Sequence, residues 1–119
     1  MSGMTEADMA QALRKRLYMT APTVQVVGVP NAGKRTVWAA RQAKKEGMAT
    51  GFPDMMLVWP GAGVAFIELK MPKGRISDNQ ADWIARLDDY GHAVAVCRSV
   101  DEAVAFLRAS GAPVMEQAA

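Results

Sequence analysis

The stretch GFPDMMLVWPGAGVAFIELK, residues 51–70, decides how this chain folds. Two apolar runs, DMMLVWP (54–60) and VAFIELK (64–70), flank GAG, a tight-turn sequence, and together they read as a β-hairpin. Pro53 lacks an N–H and fixes its own φ, so Phe52 is pushed to an extended conformation and Asp54 is delivered at the mouth of the first strand. Side chains alternate along the second strand, which puts Glu68 and Lys70 on one face and Ile67 and Leu69 on the other. If the strands pair, Asp54 lies beside Glu68. Two carboxylates and a lysine then meet at one end of a sheet.

Working outward, residues 5–18 read as a helix with Thr5 as N-cap and Leu13 and Leu17 on one face. TVQVVGV (23–29) is a short β-branched strand, followed by a turn with Pro30, Asn31 and Gly33. Residues 36–46 form a helix closed by Gly47. The loop MPKGR (71–75) is basic. Ser77 and Gln80 make a capping box that opens a helix to about Tyr90, with Ile84 and Leu87 inward. HAVAVCR (92–98) is a buried strand, and Ser99 and Glu102 are a second capping box, opening a helix to about Arg108. The order predicts an α/β domain around one mixed sheet, spanning residues 1–110, with a frayed, flexible tail over 111–119.

Asp54 and Glu68 oxygens, with the backbone carbonyl of Leu69, suit a hard divalent cation and leave positions for water and phosphate. Mg²⁺, or Mn²⁺, would stabilise charge on a phosphate and acidify an attacking water, while Lys70 would orient that water. A surface Glu–Lys pair with Asp54 as a strand-start cap is the plainer alternative. Glu6 is a candidate third carboxylate: Ala10, Leu13 and Leu17 fall within about 40° of it on a helical wheel, which places it in the apolar stripe, with Asp8 turned away. A first-turn acid favoured by the helix dipole accounts for Glu6 equally well. His92, the only histidine, and Cys97, the only cysteine, read as structural. Trp38, Trp59 and Trp83 read as core or interface packing.

The chain has 119 residues, half of them apolar, enough for one domain with a real core. A net charge of +2 conceals asymmetry. Eleven Lys/Arg stand between positions 14 and 75 against only Glu46, Asp54 and Glu68, while three basic residues face seven acids after position 75. Such a distribution points to a polyanion met by the first two-thirds of the chain. No apolar run reaches the roughly 18 residues of a membrane span, and the N-terminus lacks the pattern of a secretory signal. A single cysteine excludes an intramolecular disulfide and a cysteine zinc cage. A reducing, cytoplasmic setting is the expectation.

GVPNAGKR (28–35) mimics a phosphate loop, G-x-x-x-x-G-K. That loop needs Ser or Thr next to bind Mg²⁺, and position 35 is Arg. No nucleotide triphosphate is expected here.

Taken in order, the motifs resemble the VRR-NUC family of the PD-(D/E)XK, restriction-endonuclease-like superfamily. The resemblance runs from about Glu6 to Leu107. It rests on the first-helix Glu6, the turn NAGKR (31–35), G-x-P-D (51–54), IELK (67–70), GRISDNQ (74–80) and a late strand followed by SVDEAV (99–104). Ala32 stands where a second glycine is usual. The resemblance implies a central mixed sheet flanked by helices and metal-dependent phosphodiester hydrolysis on DNA. Carried over, Asp54 and Glu68 bind Mg²⁺ with Glu6 completing the site, Lys70 is catalytic, and Gln80 lies near the catalytic face. Lys34, Arg35, Arg41, Lys44, Lys73 and Arg75 are the residues expected to grip DNA phosphates. Small members look like Holliday junction resolvases, which implies branched DNA as substrate and a homodimer. A monomeric flap or nicking nuclease, and a non-catalytic DNA-binding module of the same fold, are the alternatives.

Overall fold

In the computed structural model, residues 3–30 and 36–115 are described. The elements follow in the order α1 (Glu6–Thr20), β1 (Gln25–Gly28), α2 (Val37–Lys45), β2 (Met55–Trp59), β3 (Gly63–Leu69), α3 (Asp78–Asp89), β4 (Ala93–Cys97) and α4 (Val100–Ala109). This is the α/β architecture that the sequence predicts. The four strands form one sheet in chain order, β1-β2-β3-β4. The first three run antiparallel, and β4 lies parallel to β3 because α3 carries the chain back across the sheet. The β2–β3 hairpin pairs Met55 with Ile67 and Trp59 with Gly63.

The helices divide between the two faces. Met9, Leu13 and Leu17 of α1 and Ala103, Val104 and Leu107 of α4 are buried in one cluster with Met55, Leu57, Ala65, Ile67 and Leu69 of the hairpin. Burial of this continuous apolar patch supplies most of the folding drive, on the order of 1.5–3 kcal/mol for each large side chain. An ion pair between Arg16 and Asp101, 2.7 Å, ties α1 to α4 at its margin. Phe66, on the opposite face of β3, meets Phe52 and His92 edge-on, and Phe52 in turn meets Trp83 of α3.

Four differences from the sequence reading have physical causes. The strand over 92–98, predicted as buried, is half-buried along most of β4, and in β2 Met56 and Val58 are half-buried beside the buried Met55 and Leu57. β4 is a sheet edge, and α3 alone does not cover the second face. Ser99 caps α4 by accepting from the Glu102 N–H, yet the Glu102 carboxylate accepts from Arg98 N–H, so the reciprocal half of that capping box is redirected. Trp38, expected in core or interface packing, is not in the core: it is 72 % exposed on α2, whose one buried residue is Ala43. The segment Gly111–Met115, expected to fray, lies against the body of the domain. Ala112 is buried, Val114 packs on the core, and Met115 N–H donates to the Thr20 carbonyl at 2.7 Å.

Candidate functional site

The G-x-P-D turn sets Asp54 in place. Gly51 has φ +88°, and a Cβ there would stand 2.6 Å from the Asn79 carbonyl carbon, so only glycine lets this loop lie on the start of α3. Pro53 is buried behind it. One step past the Met55–Ile67 pair, the register brings Asp54 across from the Glu68–Leu69 peptide, and the Leu69 N–H donates to Asp54 Oδ2 at 3.2 Å. The Asp54 carbonyl accepts from Val29 N–H, 2.8 Å, joining the same point to the end of β1. The expected meeting of Asp54 with the E-x-K strand is present.

Glu68 is fully buried on the α3 face of β3. Its Oε2 accepts from Gln80 Nε2 at 3.3 Å. Gln80 Oε1 simultaneously accepts from Ser77 N–H, 2.9 Å, and Ser77 Oγ accepts from Gln80 N–H, 3.2 Å. Gln80 therefore closes the capping box of α3 and orients the buried carboxylate. A charge removed from water needs such donors to remain bearable.

Glu6 enters from the other side. It is half-buried at the flank of the apolar stripe rather than in its middle, because the buried row runs through Met9, Leu13, Leu17 and Thr20. Glu6, Ala10 and Arg14 form the adjacent row and line a cavity of about 250 Å³ together with Asp54, Met55 and Leu69. Asp8 points to solvent and caps α1 with Thr5, whose backbone N–H and hydroxyl contacts hold its carboxyl below the usual range. Among the described residues, no group of three or more His, Cys, Asp and Glu side chains is close enough to hold a metal ion. Glu6 and Asp54 line the cavity, while Glu68 is buried on the α3 face of β3 and is not among the residues lining it. The donors are hard oxygens on adjoining strand positions, a set whose chemistry fits a divalent cation held by two carboxylates and completed by water.

Lys70 follows β3 directly and is half-buried. Its N–H donates to the Cys97 carbonyl, and its stem runs beside Gly74. Lys73 and Arg75 are exposed on the loop beyond it, while Arg41 and Lys44 are exposed on α2. Lys34 and Arg35 lie outside the described residues. His92 is exposed against Phe66, and Cys97 is buried, its thiol pushed up to about 11 by burial and by Glu102, so both fit structural roles.

Two residues escaped the sequence reading. Arg98 Nη1 donates to the carbonyls of Met71 (2.8 Å), Pro72 (3.3 Å) and Gly74 (2.7 Å), clamping the basic loop. The parallel pairing of Leu69 with Cys97 could have signalled it, since the residues after each strand must then be neighbours. Arg14 reaches the carboxylate cavity, and its place four residues beyond Ala10 and eight beyond Glu6 was readable on the helix.

A four-stranded mixed sheet with helices on both faces, and Asp54 held against β3 where the hairpin begins, fit a restriction-endonuclease-like domain. The chain belongs to the VRR-NUC domain family, whose model matches residues 4–101. This is a nuclease-type domain, with DNA as the implied substrate. No curated protein and no solved structure matches the chain. No described helix is long and apolar enough to cross a membrane.

Proposed function

We propose that this chain is a metal-dependent endonuclease that hydrolyses phosphodiester bonds in branched DNA, in the manner of a Holliday junction resolvase. The observation that carries the reading is the Leu69 N–H on Asp54 Oδ2, which holds the aspartate against the E-x-K strand. A divalent cation bound by Asp54, Glu68 and the Leu69 carbonyl, with Glu6 across the cavity, would supply positive charge to the phosphate and lower the pKa of an attacking water. Gln80 fixes the Glu68 carboxylate. Lys70 stands two residues on, where its ammonium can orient the water and offset charge that builds on the phosphoryl oxygens. Lys73 and Arg75, exposed on the loop that Arg98 clamps, would hold the backbone of the same strand, with Lys34, Arg35, Arg41 and Lys44 as further phosphate contacts.

Symmetric cutting of a four-way junction needs two such sites, and one chain supplies one. A homodimer follows. Tyr18 and Met19, 81 % and 72 % exposed at the end of α1, give it apolar surface to bury.

The test is incubation of purified protein with four-way, flap and linear DNA, in Mg²⁺ or in chelator, alongside Asp54→Asn. Paired symmetric cuts in the junction, lost in chelator and reduced at least 100-fold by the substitution, are expected. Single cuts at flaps by a species that sediments as monomer would replace the resolvase reading with a nicking one. No cleavage of any substrate would leave a DNA-binding module.

A further inference from the structure

The cavity between α1 and the strand ends holds a cation that neither the motifs nor the metal reading uses. Glu6, Ala10 and Arg14 repeat every four residues on α1, so they stand in one row and face the same cavity. Side chains of a helix lean toward its N-terminus, which directs the long Arg14 stem back along that row toward the carboxylates. Ala10 between them leaves the space open. Arg14 Nη2 lies 3.6 Å from where a Cβ on Gly28 would be, and Gly28 pairs with Met55, the neighbour of Asp54. The guanidinium therefore rests beside the β1–β2 ends that present Asp54. Arg16, two residues on, is engaged by Asp101, whereas Arg14 forms no ion pair among the described residues.

We propose that Arg14 binds a phosphate of the DNA strand being cut, holding it over the Asp54 end of the cavity. The inference rests on the nuclease reading. A guanidinium is the group suited to it: always charged and planar, it presents paired N–H donors that match two phosphate oxygens. Arg14 is thus a substrate-binding residue of the cavity, separate from the basic loop after β3.

The experiment measures binding and cleavage for wild type, Arg14→Ala and Arg14→Lys on junction DNA, with Ca²⁺ replacing Mg²⁺ for binding. Arg14→Ala should weaken binding about tenfold and reduce the slope of log K against log salt by about one phosphate contact. Arg14→Lys should recover part of the affinity. A neutral methylphosphonate scanned through the cut strand should find one position where the Arg14→Ala loss and the analogue's loss fail to add. Unchanged salt slope, or losses that add at every position, would overturn the proposal. So would a variant that melts lower yet binds normally, which would make Arg14 only a counterion for Glu6 and Asp54. If wild type binds but never cuts, the nuclease reading fails while the salt slope still decides Arg14.

Discussion

Gln80 shows how much one side chain can carry. Its amide oxygen completes a helix cap and its amide nitrogen holds the buried Glu68. The two duties can be separated by substitution. Ser77→Ala removes the hydroxyl acceptor of the cap and should cost about 1 kcal/mol in denaturant unfolding, with cleavage per folded molecule near wild type. Gln80→Ala removes both contacts. It should cost about 1–3 kcal/mol more, because a buried carboxylate loses a donor, and it should also depress the cleavage rate. Equal rates for the two variants would mean that the Gln80–Glu68 contact is irrelevant to chemistry. S-x-x-Q made the cap legible in the sequence, since capping is local and spaced by helix geometry. The bond to Glu68 joins residues 12 positions apart on different elements; the family resemblance put Gln80 near the catalytic face, and the bond itself was not legible.

Among elements, the connections around the hairpin decide where the carboxylates go. Gly51→Ala would force an L-residue to φ +88° and drive a methyl group into the Asn79 backbone. The summed strain and overlap should lower stability by about 2–5 kcal/mol, read as a fall in the denaturant midpoint. The Arg98 clamp is less critical to the fold. Arg98→Ala should cost about 1–3 kcal/mol at most and speed amide exchange and proteolysis selectively over 71–75. The hairpin, its register and Asp54 beside the E-x-K strand were legible because period-two alternation and turn residues are local signals. The uneven covering of β4 was not. An apolar run reads the same whether a strand is central or at an edge, and that choice depends on the order of strands across the sheet.

For the whole molecule, Cys97 reports on the integrity of the core between β4 and α4. Its thiol, pushed up to about 11, stays protonated at pH 8 and is shut away from solvent. Native protein should therefore resist a thiol reagent at that pH. Labelling should proceed only through opening of the domain and accelerate in denaturant in parallel with the loss of circular dichroism. Rapid labelling of native protein would show that β4 opens independently. At this scale the class of fold was legible from the order of elements, and the charge asymmetry pointed to a polyanion. The separation of Glu6 and Glu68 between the two sides of the sheet was hidden, because helix periodicity gives the face of α1 but not the face of the sheet on which it docks.

The Leu69 N–H on Asp54 has a consequence for descent. The same carboxylate that would serve chemistry also ties two strands, so selection for folding alone would preserve it in a lineage that had lost all activity. Glu68 and Gln80 are similarly bound into the architecture. Lys70 is not: among the described residues its ammonium makes no hydrogen bond or ion pair. In such relatives the lysine is free to drift first, which makes position 70, more than either acid, the place where a silenced enzyme would betray itself.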